Sequence, residues 1–98
     1  ICETSNEITR NFDALLMPTV PVIAPVLKDL ENSDDFYHQM NLLMLRNCSF
    51  GNFLDRCAVS LPIHEPETAP VGLMVMGESD GDDRLLEIAK TIETAIKR

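Results

Sequence analysis

Apolar residues recur at helical spacing in two long stretches of the chain. In residues 36–50 they lie three or four positions apart, and a polar residue among 33–35 is suited to cap the start of a helix. In residues 82–96 the same spacing forms one apolar stripe, which consists of Leu85, Ile88, Ala89, Ile92, Ala95 and Ile96. Acidic residues precede this stripe and the basic Lys97 and Arg98 follow it, which suits the helix dipole. The pattern predicts two helices.

Three short apolar runs have the length of strands. Residues 14–17 lack polar alternation, which favours a strand covered on both faces, as in the sheets of α/β proteins. Residues 58–61 and 71–76 form two further runs, and the exposed, proline-containing residues 63–70 between them favour a hairpin. A short helix is predicted at residues 8–11, or else these residues are the tail of a longer helix whose start is missing from the sequence.

The stretch of residues 46–62 joins the first long helix to the second strand. The spacing i, i+3, i+4 and i+7 predicts one apolar helix face formed by Phe50, Phe53, Leu54 and Cys57. Gly51 interrupts this pattern, so a kink or a break in the helix is expected there. Pro62 closes the strand that follows.

Residues 18–25 form an apolar segment with prolines at Pro18, Pro21 and Pro25. These prolines exclude a regular helix or strand ladder and favour an extended connection. Because loops usually carry polar residues, this apolar segment is expected to line a pocket or to cover the core. The polar residues 28–35 that follow are interpreted as a surface loop.

Length and charge restrict the possible classes of protein. The chain has 98 residues, enough for one small domain at most, and its formal net charge of -8 repels phosphate backbones and anionic lipids. Nucleic-acid and membrane partners are therefore not expected, and no apolar run is long enough to span a membrane. A cytoplasmic location is predicted. Since the chain begins with Ile and not Met, it is interpreted as a piece of something longer.

No complete active site is recognisable in the sequence. The serines lie in no glycine-flanked elbow, and the histidines lack metal-ligand spacing. The three cysteines suggest neither a disulfide framework nor a zinc site, and Cys48 and Cys57 are interpreted as reduced apolar residues. No catalytic residue, metal or cofactor is therefore assigned. Arg46 is a candidate to bind an anion in a pocket, or else it pairs with Asp35 or Asp55. Asn52 either satisfies backbone groups at the helix end or contacts substrate.

Four segments, residues 12–25, 46–62, 70–77 and 82–93, resemble in order and spacing the C-terminal region of amidase-signature hydrolases. The resemblance covers nearly the whole chain. It implies an α/β fold, the C-terminal part of an α/β/α sandwich around a mixed sheet. It also implies hydrolysis of carboxamide C–N bonds by a Ser nucleophile, a second Ser and a Lys. That signature region is absent here, so residues 1–98 are interpreted as a single C-terminal fragment of the domain.

Several residues match family positions that look structural, namely Pro18, Thr19, Asn52, Pro62, Pro70 and Gly72. Candidates for the substrate pocket are Pro18, Thr19, Arg46 and Asn52. The glutamine-using relatives, the tRNA-dependent amidotransferase subunits, have a carboxylate on the helix before the Asn. Here the nearby positions are Leu45 and Arg46, which disfavours glutamine as a substrate.

Two main hypotheses follow. In the first, the chain supplies strands and a pocket wall for a small amide substrate in a longer amidase and is inert alone. In the second, it is a non-catalytic acidic scaffold that self-associates through exposed apolar surface. A third hypothesis, an independent small-molecule binding domain, depends only on the apolar residues 18–25. In the first two cases the isolated chain is expected to form homo-oligomers.

Overall fold

The computed structural model describes residues 2–96. Lys97 and Arg98, predicted to end the last helix, lie outside the described residues. Helices and a small sheet alternate along the chain, so the α/β class is confirmed. The elements are α1 (Cys2–Thr9), β1 (Leu15–Pro18), α2 (Leu27–Asn32), α3 (Asp34–Phe53), β2 (Ala58–Pro62), β3 (Gly72–Met76) and α4 (Asp82–Ile96).

The three described strands form one antiparallel sheet in the order β1-β3-β2. The predicted hairpin of β2 and β3 is confirmed, with Ser60 opposite Met74 and the Ile63 amide donating to the Val71 carbonyl at 3.0 Å. β1 pairs with the other side of β3 and includes Pro18, since a proline is tolerated on an outer strand. The expectation that β1 is covered on both faces is wrong within this chain, because Leu16 is exposed.

The core lies between the sheet and α4. Leu61 and Val75 from the sheet pack with Leu85 and Ala89 from α4, and all four are buried. The helix predicted for residues 82–96 is therefore confirmed, together with the face that it buries. The strand β3 supplies most of the remaining core because it lies between the other two strands.

The first two helices differ from the sequence prediction. α1 spans Cys2–Thr9, so the short helix predicted at residues 8–11 is wrong in its bounds. The alternative, the tail of a longer helix whose start is missing from the sequence, stays a prediction. The interpretation of residues 28–35 as a loop is also wrong, because α2 forms there. Leu30 is half-buried, and α2 packs against α3, so tertiary contact stabilises a segment whose composition is largely polar.

Helix α3 begins with the predicted cap, in which the Ser33 Oγ accepts from the Phe36 amide at 3.2 Å. Of the kink or break expected at Gly51, the break is wrong, since the helix continues to Phe53. An ideal Cβ at Gly51 would lie 3.4 Å from the Met76 Cε, so the glycine lets α3 pack closely on β3. The predicted apolar face that included Cys57 does not form, because the helix ends before that residue.

Candidate functional site

One end of the sheet brings together residues from all three strands. The chain leaves β1 at Thr19, whose amide donates to the Gly72 carbonyl of β3 at 3.0 Å. The Thr19 and Ser60 hydroxyls share a hydrogen bond of 2.6 Å. A Cβ on Gly72 would lie 2.6 Å from the Ser60 Oγ and 2.7 Å from the Thr19 Oγ1. Gly72 therefore permits the contact between the two hydroxyls, and a larger residue would displace it.

The inner face of α3 reaches the same end of the sheet through Asn47. This amide is 5% exposed, and its Nδ2 donates to the Pro18 carbonyl at 2.7 Å. The Cys48 Sγ lies 3.9 Å from the Thr19 carbonyl, a second and weaker contact between the helix and the strand end. The buried side chain of Asn47 thus fixes where the chain turns away from β1.

Arg46 is coupled to this buried amide. Its Nε donates to the Asn47 Oδ1 at 3.3 Å, and the Arg46 side chain lies at the surface. The expected ion pair with Asp35 or Asp55 does not form in the described part of the chain. Arg46 is held instead by the neutral amide of Asn47.

A hollow of about 190 Å³ lies beside these contacts. It is lined by Pro18, Val20, Pro21, Val22, Ile23, Pro70, Val71 and Gly72. The prediction that the proline-rich segment lines a pocket agrees with this geometry. The lining consists of apolar side chains and backbone, so this surface can bind an apolar group but carries no acid, base or nucleophile.

The structure groups three of the four predicted pocket residues and separates the fourth. Arg46 contacts Asn47, which donates to the Pro18 carbonyl, and Thr19 follows Pro18 in the chain. Asn52 lies near the C-terminal end of α3, where it lines a different, open hollow of about 710 Å³ with Phe50, Phe53 and their neighbours. The two interpretations of its side chain, hydrogen bonding of backbone groups and contact with substrate, stay predictions.

A group of polar residues around Arg56 lies at the opposite end of the sheet, and its hydrogen bonds hold elements of the fold together. Arg56 donates to the Thr9 hydroxyl at 2.6 Å, to Ser5 at 3.1 Å and to the Gly77 carbonyl at 3.3 Å, which ties α1 to the sheet. Cys57 lies beside it with its thiol 3.1 Å from the Glu78 carbonyl. Burial, reinforced by the Asp82 carboxylate, raises the pKa of the Cys57 thiol, so this cysteine is a poor nucleophile at neutral pH.

No group of three His, Cys, Asp or Glu side chains within residues 2–96 is arranged to hold a metal ion. None of the helices described for these residues is long and apolar enough to cross a membrane. Cys2, Cys48 and Cys57 are free thiols, and the prediction that Cys48 and Cys57 are reduced agrees with this.

Sequence reasoning missed the role of Asn47. Asn47 continues the helical spacing of the apolar residues Phe36, Met40, Leu43 and Met44. This periodicity therefore placed Asn47 on the inner face of the helix. A polar residue at a core-facing position requires a hydrogen-bond partner, and that requirement was the available signal. Its partner, the Pro18 carbonyl, is 29 residues away in sequence, and no local pattern identifies it.

These contacts define a packed strand end beside an apolar hollow in a chain of the α/β class. The Amidase family model matches residues 1–86, and the chain belongs to this family. The resemblance to amidase-signature hydrolases is therefore confirmed.

Curated relatives carry several different activities in their names. The chain is 36% identical over 87 residues to a 2-amino-5-chloromuconic acid deaminase of Comamonas testosteroni, which covers 88% of the chain and 19% of the relative. It is 29% identical over 93 residues to a glutamyl-tRNA(Gln) amidotransferase subunit of Saccharolobus solfataricus. This match covers 95% of the chain and 19% of the relative. A fatty acid amide hydrolase of Oryza sativa is 29% identical to the chain over 91 residues. This match covers 90% of the chain and 15% of the relative. The chain thus spans less than a fifth of these relatives. No solved structure matches the chain.

Proposed function

We propose that the chain is the C-terminal segment of an amidase that hydrolyses carboxamide C–N bonds with a Ser, a second Ser and a Lys. The observation that carries this proposal is the family match over residues 1–86. In the whole enzyme this segment supplies three strands and one apolar wall of the substrate pocket. The hollow beside Pro18 and Gly72 supports that role, because it combines an apolar lining with a strand end fixed by buried hydrogen bonds.

The reacting groups of this mechanism belong to the part of the enzyme outside the chain. The serine oxygen attacks the carboxamide carbon, the C–N bond breaks, and the nitrogen leaves with a proton as ammonia or an amine. Water then cleaves the acyl-serine ester to give the carboxylic acid and restore the serine. The segment contributes to this sequence by excluding water from one side of the pocket and positioning the substrate.

The substrate is proposed to be a small carboxamide other than glutamine. Leu45 and Arg46 occupy the helix positions near which glutamine-using relatives have a carboxylate, so a substrate ammonium group finds no partner there. Names of the relatives include both a deaminase and amidotransferase subunits, and the family alone does not select between them. The cytoplasmic location stays a prediction.

The decisive experiment uses the full-length protein that contains this chain. The purified protein is incubated with a panel of primary amides that includes glutamine, and ammonia release is measured. We expect saturable release from a non-glutamine amide, which is lost when the candidate nucleophilic serine is replaced by alanine. The isolated chain is the matched control and should release none. Absence of hydrolysis by the full-length protein on the whole panel would favour the self-associating acidic scaffold.

A further inference from the structure

The loop that joins β2 to β3 is closed at its base by a histidine side chain. In a hydrogen-bonded pair of antiparallel residues, each amide donates to the carbonyl of the other residue. At the base of this loop the Ile63 amide donates to the Val71 carbonyl at 3.0 Å. The Val71 amide, however, donates to the Nδ1 atom of His64 at 3.2 Å. The imidazole therefore takes the place that a backbone carbonyl has in a regular hairpin.

The two contacts of the His64 Nδ1 atom decide which ring nitrogen carries the proton. This atom lies 3.2 Å from the Val71 amide nitrogen and 3.4 Å from the Val71 carbonyl oxygen. The amide nitrogen always carries a hydrogen, and the carbonyl oxygen already accepts from Ile63. A proton on Nδ1 would face another donor at the shorter of the two distances, so Nδ1 is the acceptor. In the neutral imidazole the proton then lies on Nε2.

Prolines in both strands increase the importance of this hydrogen bond. Pro62 and Pro70 have no amide hydrogen, so neither residue can donate a bond at this end of the hairpin. The far turn of the loop is held separately, because the Thr68 amide donates to the Glu65 carbonyl at 3.2 Å. His64 thus adds to the base of the loop a hydrogen bond that the prolines cannot supply.

The residues next to this hydrogen bond form one wall of the apolar hollow of about 190 Å³. Residues 70–72 line the hollow from the side of β3, and residues of the segment 18–23 line it from the side of β1. The two walls are joined where the Thr19 amide donates to the Gly72 carbonyl. Val71 precedes that junction, and its own amide is held by His64. The position of the wall therefore depends on the imidazole.

We infer that His64 is a positioning residue for the amide substrate, because its unprotonated Nδ1 holds the Val71 amide and with it the wall of residues 70–72. This inference rests on the proposed function, since it takes the hollow as part of the substrate pocket. In this role His64 acts through Val71 and supplies no reacting group. Loss of the hydrogen bond weakens substrate binding and leaves the chemical step unchanged.

Two variants of His64 in the full-length protein give a matched pair. An asparagine side chain places its Oδ1 where the imidazole has Nδ1, whereas a glutamine side chain places its Oε1 near the position of Nε2. Both substitutions remove the ring and keep a neutral polar side chain. His64→Asn is therefore expected to preserve the hydrogen bond with Val71, and His64→Gln is expected to lose it.

Hydrogen exchange at the Val71 amide measures this bond independently of activity. We expect exchange in His64→Gln to be about three- to ten-fold faster than in the wild type, and exchange in His64→Asn to stay within about two-fold of it. Equal exchange rates in the wild type and in His64→Gln would overturn the inference.

The tautomer of His64 gives a spectroscopic test in the wild-type protein. At about pH 8, where a histidine side chain is normally neutral, a nitrogen-15 spectrum should show the proton of His64 on Nε2. The signal is identified by its absence from the spectrum of His64→Asn. A proton on Nδ1 would contradict the inference, because Nδ1 could not then accept from Val71.

Kinetics test the positioning role with the primary amide that the full-length protein hydrolyses fastest. We expect His64→Gln to raise KM by about three-fold or more with kcat within about two-fold of the wild type, and His64→Asn to keep the wild-type KM. An unchanged KM in His64→Gln would overturn this role.

The outcome is distinct from the test of function. Faster exchange at Val71 in His64→Gln, in a protein that hydrolyses no amide, would remove the proposed activity and support the hydrogen bond of His64. Amide hydrolysis with equal exchange and equal KM in the wild type and His64→Gln would do the reverse.

Discussion

Helices α3 and α4 pack on the same sheet and differ in what they present to the other side. α4 buries Leu85 and Ala89 in the core and carries charged residues on its exposed side. α3 buries Asn47 and Gly51 against the sheet and exposes leucine and phenylalanine on its outer side. An amphipathic helix such as α4 can bury its one apolar face against neighbouring elements of the same chain. A helix such as α3, which also has apolar residues on its outer side, needs a further partner to cover them.

The largest expected effect tests the α4 side of this comparison. Leu85→Ala removes a buried side chain from the core, and we expect the free energy of unfolding to fall by about 2–5 kcal/mol. Urea denaturation of the full-length protein measures the change. Leu86→Ala on the solvent side of the same helix should change stability by less than about 0.5 kcal/mol. Similar losses of stability in the two variants would mean that Leu86 does not lie on a solvent-facing side of α4.

The next effect concerns the inner face of α3. Asn47→Ala removes the amide that donates to the Pro18 carbonyl, and the loss of this partly buried hydrogen bond is expected to cost about 0.5–1.5 kcal/mol. Asn52→Ala, on an exposed amide of the same helix, is the control and should be nearly neutral. We also expect Asn47→Ala to raise the KM for the amide substrate, since the strand end that lines the hollow shifts. Wild-type stability in Asn47→Ala would show that this contact does not hold the strand end.

A comparable effect is expected at the hydroxyl pair between β1 and β2. Thr19→Val and Ser60→Ala each break the 2.6 Å hydrogen bond, so their destabilisation should be less than additive. A double-mutant cycle is expected to give a coupling energy of about 0.5–1.5 kcal/mol. Strict additivity would indicate that the two hydroxyls do not interact, and the close approach at Gly72 would then require another explanation.

The smallest effect is a pH dependence next to the N-terminal end of α4. The folded protein raises the pKa of Cys57, mainly by burial, so folding favours the protonated thiol. The resulting stabilisation is fully present below the ordinary pKa of 9.0 and is lost as the pH rises through the raised folded value. Stability measured between about pH 8 and pH 10 should therefore fall more steeply in the wild type than in Cys57→Ala. Parallel curves would contradict this assignment.

The two helices also explain what the sequence could and could not predict. The stripe of α4 and the hairpin of β2 and β3 depend on local periodicity and a short connection, and both were predicted correctly. α2 was missed because its composition is largely polar, whereas it packs against α3 and leaves Leu30 half-buried. The pocket wall was predicted from the prolines of residues 18–25. The amide of Asn47 that holds it was not identified, because its partner is distant in sequence.

The separation of Asn52 from the other predicted pocket residues has a related cause. Helical spacing places a residue on a face but does not specify which cavity that face borders. Gly51 was expected to break the helix, whereas close packing on Met76 requires a small residue at that point within a continuous helix. From the sequence alone, a glycine can either break a helix or permit close packing within it, and the contact with the neighbouring strand decides which role applies.

The central claim is that this chain is built as part of a larger domain and leaves apolar surface uncovered when alone. Light scattering of the isolated chain tests it most directly. We predict an average mass that exceeds that of one chain at micromolar concentration, and that rises with added salt as the repulsion between chains of net charge -8 is screened. A constant monomer mass at every salt concentration, with no binding of a dye specific for apolar surface, would contradict the account.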